Sequence, residues 1–512
     1  MGTPATDERP NRPGAVRGPP PAVSAVRRSL TGGQALVLVA GAAVLAGWLW
    51  HDGSGCKAVL SVAVPTAFLA CALWRLALIL ASGRRRKPQP ATGPLPHYTV
   101  VAALHDEAEV LPQLVENLAA LDYPPDRLEG FLALEAHDHE TIEAAYAADR
   151  PDWLSILIVP PGAPQTKPRA LNHALTRATG RLITVYDAED HPDPLQLREA
   201  AACFEQDTTG TLACLQAPLR IRRRTRGQDA SPFLDRQFAV EYAALFEVVL
   251  PGMTRLGLPF PLGGTSNHFR VDILKRVGGW DAWNVTEDAD LGFRLWRAGY
   301  RLGVLTRPTW ETPPGGLHAW LPQRNRWMKG YMQTWGVHTR QPLSLGPRGL
   351  LALVMTLGVS LASAAVHAPS VAWVAASVLV AAVAGITPST PIPALGVLML
   401  GAGMAWVSAF VGAKRAGIPY SLIDVVQAPA YWSLLSLAFA HAAWRLIREP
   451  FAWDKTCHHA DPGETLTVEN TDGSRPPVAS PVTAETRRDG PQNPSARRRA
   501  RASADQNSAM PG

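Results

Sequence analysis

Three short stretches concentrate side chains suited to chemistry. In "YDAEDHPDP" (186–194), Asp187, Glu189 and Asp190 stand within four residues of one another. Carboxylates so spaced on one rim suit a hard divalent cation such as Mg²⁺, which takes one or two carboxylates plus substrate phosphates. The plainer alternative is an acidic turn that caps the following segment "PLQLREAAACF". In "NVTEDADLGFRLWRAGY" (284–300), Thr286, Glu287 and Asp288 fall where a helix begins, with Leu291 and Leu295 on its apolar side. Acids there either serve the helix dipole as caps or present a carboxylate base to a substrate.

The third stretch, "QRNRWMKGYMQTW" (323–335), packs three cations (Arg324, Arg326, Lys329) and three aromatics just before a long apolar run. On a helix Gln323, Arg326 and Trp327 share a face. An arginine fork can hold phosphate oxygens, and an indole gives a flat surface for a sugar or base. An interfacial membrane anchor has the same composition. Lys167, in a Pro-rich loop before a helix, is either a phosphate point charge or a solvated residue. The adjacent glycines of "PLGGTSNHFR" (261–270) let backbone approach a ligand or make a tight turn. "PPGAPQTKPRA" lacks P-loop spacing, and no GxGxxG, Ser–His–Asp or HExxH signature occurs.

These residues need a frame. "YTVVAAL" reads as a buried parallel strand, followed by helical spacing in "HDEAEVLPQLVENLAAL". "LEGFLALEAHD", "WLSILIV" and "RLITVYDAED" give three more strands, with the helix "KPRALNHALTRATG" before the last. Alternating strands and helices predict a parallel sheet whose ligands bind at the strands' carboxyl ends. Glu135, Asp138, Asp187, Glu189 and Asp190 all fall at such ends.

Apolar runs flank this region. Ala35–Trp50 and Val59–Ile79 each approach the ~20 residues a span requires, and no A-x-A-type cleavage site follows the first, so both are expected to be retained. Leu350–Ala413 holds no Asp, Glu, Lys or Arg and reads as several membrane helices. The expected organisation is a structureless 1–30, two transmembrane helices in 31–83, an α/β domain over 96–345, three to four further spans in 346–447, and a structureless basic tail over 461–512. Arg27, Arg28 and "GRRRK" (83–87) put the domain on the cytosolic side. Lys414 and Arg415 conflict with that if three spans follow residue 345, and a re-entrant segment removes the conflict. A net charge of +6, much of it in these flanks and in the tail, suits anionic lipid better than nucleic acid. Five cysteines without a CxxC pair suggest a reducing compartment.

In their order, "LDYP", "LEAHDHET", "TKPRALNHAL", "YDAED", "PLGGTSNHFR", "TEDADLGFRLWRAGY" and "QRNRW" resemble membrane-embedded family 2 glycosyltransferases, the group of cellulose, chitin and hyaluronan synthases. The likeness runs from about Val100 to Trp335. It implies a GT-A (Rossmann-like) fold between transmembrane helices, in the inner membrane of a bacterium. It also implies a nucleotide-sugar donor, usually UDP-linked, a growing glycan or a polyprenyl-phosphate or lipid acceptor, and Mg²⁺ or Mn²⁺. Partner proteins for secretion or assembly are compatible with it, as is a non-catalytic assembly subunit. Carried over by position, Glu107, Glu135 and Asp138 line the nucleotide pocket with Lys167. Asp187 and Glu189, or Asp190 in its place, hold metal and diphosphate. Asp288 is the base beside Glu287, and Gln323, Arg326 and Trp327 hold diphosphate and acceptor. "EAHD" departs from the paired acids usual in the nucleotide strand.

Overall fold

A computed structural model describes residues 18–20, 24–25, 31–83, 88–222, 231–385 and 392–451. The expected tail at 461–512 lies outside them, as do Arg27, Arg28 and all four basic residues of "GRRRK".

The ten strands among these residues are β1 (Tyr98–Leu104), β2 (Leu128–Glu135), β3 (Leu154–Val159), β4 (Leu182–Tyr186), β5 (His191–Pro192), β6 (Leu212–Gln216), β7 (Leu219–Ile221), β8 (Asn267–Arg270), β9 (Arg301–Val304) and β10 (Thr309–Glu311). Seven form one sheet in the order β3-β2-β1-β4-β8-β6-β9, and β5-β10-β7 form a second. β1 to β4 run parallel, as their unbroken apolar runs predict, whereas β8 is antiparallel to both β4 and β6. Both faces of β1 are covered. Tyr98, Val100 and Ala102 join the core over the helices Leu111–Ala119 and Gln196–Glu205, while Val101 joins the core on the opposite face. Leu171, Ala174 and Leu175 of the helix Lys167–Arg177 and Phe238 of the helix Pro232–Ala244 fill that second core. A strand covered on both faces has no need of alternation.

In register, Leu104 faces Leu134 of β2 and Ala102 faces Tyr186 of β4. The carboxyl ends of β1, β2 and β4 therefore share one edge, which brings segments 105–107, 135–138 and 187–190 together.

Four helices among the described residues are long and apolar enough to cross a membrane: Gly32–His51, Gly53–Ser82, the continuous run Pro342–Ala384, and Leu422–Arg448. Twenty residues rise about 30 Å, the hydrocarbon thickness. Asp52 separates the first two and caps the second through Gly55 N–H (2.8 Å). A further helix, Ile392–Ala416, packs on Gly53–Ser82 and ends beside it, since Arg415 donates to Ser82 Oγ and to the Glu247 carbonyl (both 2.8 Å). Arg415 thus sits against the sheet-bearing region.

Leu422–Arg448 differs from the other three. Asp424 at its start accepts from Arg236 (2.8 and 2.6 Å), and past its end the Pro450 carbonyl accepts from Gln333 (2.8 Å). Both ends are held by elements that pack on the sheet. Within the leader expected to be structureless, Ser24 and Ala25 are buried, donating to Asp281 at 2.9 and 2.7 Å.

Candidate active site

β4 ends at Tyr186, and the chain turns immediately through Asp187, Ala188, Glu189 and Asp190. The turn is held from inside. Asp190, fully buried, accepts from Asp187 N–H (2.8 Å) and from the Thr265 hydroxyl. Burial, and then the charges of Asp187 and Glu189, push the Asp190 carboxyl well up. Asp190, offered above as an alternative metal ligand, holds the turn through Oδ2, while its Oδ1 is buried with no hydrogen-bond partner among the described residues; Asp187 and Glu189 line a cavity. Lys167, at the start of its helix, reaches across to Asp187 in an ion pair and donates to the Gly264 carbonyl (2.9 Å). Burial opposes its charge, but Asp187 and Glu287 outweigh that and hold the ammonium above its ordinary value.

Glu311 was not anticipated. β10 is three residues long and pairs Glu311 with Ile221 of β7, which leaves the carboxyl lining the same cavity. Burial first, then Asp190, Glu189 and Asp187, drive it well up. The rim thus carries more carboxylate than Lys167 neutralises, and its donors are hard oxygens. On both counts it fits a divalent cation.

At the β1–β2 edge, Glu107 and Glu135 also line the cavity, whereas Asp138 does not. Glu135 pairs with Arg169 at 2.5 Å. Asp138 caps the helix His139–Ala147 through Thr141 N–H (3.2 Å) and accepts from Asp106 N–H (2.6 Å). Burial pushes this carboxyl up, but those hydrogen bonds win and lower it. The carboxylate also contacts the His105 ring, 3.5 Å away. His105, Asp106 and Asp138 are also the one group of three among the described residues whose ligand atoms lie within 4.8 Å of one another.

The helix Glu287–Arg297 brings the acids of "TED" to the cavity opposite Lys167. Asp288 Oδ2 is 3.5 Å from the place a side-chain carbon on Gly264 would occupy, so the diglycine turn lies between Asp288 and the Lys167 ammonium. Burial raises Asp288 to about 6; burial and the neighbouring Asp288 charge raise Glu287 to about 8. Of the two, Asp288 is the more readily ionised. One turn on, buried Asp290 binds Arg294 (2.5 Å) and His338 (3.0 Å), which ties this helix to the next element.

That element is the helix Leu317–His338, and it assigns its three cations differently. Arg324 is buried, bidentate to Glu241 (2.8 and 2.7 Å), bonded to the Tyr431 hydroxyl (2.9 Å), and 4.4 Å from the Trp327 ring centroid. Lys329, also buried, donates to the Glu449 carbonyl (3.4 Å). Arg326 lines the cavity with Gln323 and Trp327, the face predicted from their spacing. Gln323 Oε1 is buried with no hydrogen-bond partner among the described residues, as expected of a group that receives a ligand. Close approach of this helix to the "TED" loop needs Gly330, where a Cβ would fall 2.2 Å from Thr286 Oγ1.

The cavity measures about 1390 Å³ and has two kinds of wall. The acids, Lys167 and Arg326 form one part. The other part comes from the helices Gly53–Ser82, Val359–Ala384, Ile392–Ala416 and Leu422–Arg448, with Phe68, Trp74, Val371, Trp406 and Trp432 among its mainly apolar side chains.

Residues 182–408 match the family Glycosyl transferase family group 2. The beta-monoglucosyldiacylglycerol synthase of Synechocystis sp. is 28% identical over 290 residues, 54% of this chain and 57% of that protein. The poly-beta-1,6-N-acetyl-D-glucosamine synthase of Staphylococcus aureus is 24% identical over 249 residues, 48% and 57% of the two chains. This chain spans little more than half the length of either relative. Among solved structures, the mannosyltransferase PcManGT from Pyrobaculum calidifontis, in complex with GDP-Man and Mn²⁺, superimposes with a TM-score of 0.51 at 19% identity, covering 76% of this chain and 98% of that one. The parallel-rich sheet is of the GT-A class.

Proposed function

We propose that the chain, whose residues 182–408 match the glycosyl transferase family group 2, is a glycosyltransferase that moves a sugar from a nucleotide-sugar onto a lipid acceptor held among its membrane helices. One observation carries the choice of acceptor: the charged site and the apolar interior of the helix bundle are walls of the same cavity. A lipid places its headgroup among the acids while its chains stay in apolar surroundings. A growing glycan, the acceptor class placed first from the sequence, would gain little from the apolar part, since its hydroxyls would lack partners there.

Glu107 and Glu135 border the nucleotide, and Gln323 and Arg326 receive the diphosphate. Asp187 and Glu189 would hold a divalent cation, which neutralises charge on the diphosphate when bound. Lys167, next to Asp187, adds a fixed positive charge where negative charge grows as the glycosidic bond breaks. Asp288 accepts the proton of the acceptor hydroxyl as that oxygen bonds to the sugar carbon and the nucleoside diphosphate leaves from the opposite face, and this direct displacement inverts the sugar carbon. Protonated Glu287 keeps a second negative charge away from the incoming nucleophile. Trp327, tilted against Phe238 and Tyr242 with centroids 6.3 and 6.1 Å away, gives the acceptor an apolar wall.

In the membrane we place four spans: Gly32–His51, Gly53–Ser82, the run ending at Ala384, and Ile392–Ala416. Leu422–Arg448 lies along the membrane face of the domain, because both its ends are anchored there. The catalytic region is cytosolic, on the side of Arg415 and the basic flanks. Incubation with labelled nucleotide-sugars, then organic extraction, tests the acceptor. Label in a lipid bearing one or a few sugars supports this reading; label only in a long aqueous polymer supports the glycan reading instead.

A further inference from the structure

Arg75 stands in the membrane part of the cavity. It lies on the helix Gly53–Ser82 in line with Phe68, Cys71, Trp74 and Leu78, all of which line the cavity, so its helical face is the inward one. No hydrogen bond or ion pair to its guanidinium occurs among the described residues. Arg324, another arginine of this wall, is buried and neutralised by Glu241, whereas Arg75 is exposed. Arg75 precedes Ser82 by seven residues, about 10 Å along the axis. Ser82 in turn is tied to Arg415 beside the catalytic region. That depth matches the headgroup end of a lipid whose chains extend away from the site.

An unpaired cation in an apolar membrane environment is costly and marks a binding function unless it reaches the interface on its own. A lipid-facing arginine would serve only the bulk bilayer, but this one shares its face with the cavity. Its planar fork fits phosphate oxygens in a bidentate manner, which a neutral headgroup cannot match. We propose that the lipid occupying this cavity carries a phosphate, and that Arg75 grips it. The inference rests on the reading above that the cavity admits a lipid, and it names that lipid's chemical class.

The test uses the full chain in neutral detergent, with phosphatidylglycerol and, separately, dioleoylglycerol as probes, bound lipid being read by native mass spectrometry. The wild type should retain phosphatidylglycerol, and Arg75→Gln should bind it about tenfold more weakly, the loss of one charge-assisted pair. Arg75→Lys should fall between them, because charge remains but the fork is lost. Arg445→Gln, which removes a cation paired with Glu449 rather than facing the cavity, should behave as wild type. Equal retention by wild type and Arg75→Gln, or equal affinity of the wild type for both probes, would overturn the proposal. Nucleotide-sugar turnover is measured on the same samples. Turnover with no Arg75-dependent lipid binding sinks this inference alone; Arg75-dependent binding without turnover sinks the transferase reading alone.

Discussion

Arg324 and Arg326 are two residues apart on one helix, yet the structure gives them opposite work, and that contrast can be measured. Arg324 has a side chain 2% exposed and is held by Glu241, by Tyr431 and by the faces of Trp327 (4.4 Å) and Phe238 (4.8 Å). Removing one partner of a buried ion pair costs about 3–5 kcal/mol. Glu241 is 37% exposed and recovers part of its solvation, so the lower end, about 3 kcal/mol, applies to Arg324→Met. In detergent the melting temperature should fall by at least about 5 °C. Removing Glu241 as well, as Arg324→Met with Glu241→Leu, should restore much of the loss, because no charge is then left unpaired. Arg326→Ala should leave the melting temperature within about 2 °C of wild type and abolish turnover. Thermal unfolding followed by tryptophan fluorescence, beside diphosphate release, reads all three variants. An Arg324→Met protein that is as stable as wild type but inactive would refute the division of labour and place Arg324 on the substrate.

Three other outcomes follow from the same geometry. The native Glu287 carboxyl, at about 8, lies above its unfolded value of 4.5, so between those limits the native state holds more protons. Its contribution to stability is whole below 4.5 and is lost as pH rises through 8. Glu287→Gln should therefore gain melting temperature relative to wild type between pH 5 and pH 9, and a difference flat across that range would contradict the assignment. Gly330→Ala forces a carbon onto Thr286. It should cost about 1–3 kcal/mol and at least tenfold in turnover, with partial recovery in the double variant Gly330→Ala/Thr286→Ala; full activity in Gly330→Ala would show that the helices do not need this crossing. In a cysteine-free background, an impermeant maleimide on intact cells should label Ala384→Cys but not Leu422→Cys or Glu449→Cys. External labelling of Glu449→Cys would make Leu422–Arg448 a span.

The parallel half of the sheet was legible because β1, β2, β3 and β4 are apolar runs, three of which run into acids. The antiparallel β8 was not, since "NHFR" is four residues of mixed polarity that become a strand only between β4 and β6. An acid at a strand end can cap a helix or face a ligand, and local sequence does not separate the two. Asp138 and one oxygen of Asp190 are held by backbone N–H and hydroxyl groups, whereas Asp187 and Glu189 line the cavity. The helical face of Gln323, Arg326 and Trp327 followed from spacing alone. What Arg324 does depended on Glu241, 83 residues earlier in the chain, and on Tyr431, 107 later. Glu311 reached the rim through a three-residue strand that carries no periodic signal.

The central claim is that Asp288 performs the chemistry on a nucleotide-sugar held at Asp187, Glu189 and Arg326. The most direct measurement is nucleoside diphosphate release from a panel of nucleotide-sugars, by full-length protein in lipid with Mg²⁺ or Mn²⁺, alongside donor binding, for wild type and Asp288→Asn. Release is expected with a particular donor, lost at least 100-fold in Asp288→Asn while donor binding stays within about threefold. Release undiminished in Asp288→Asn would contradict the central claim.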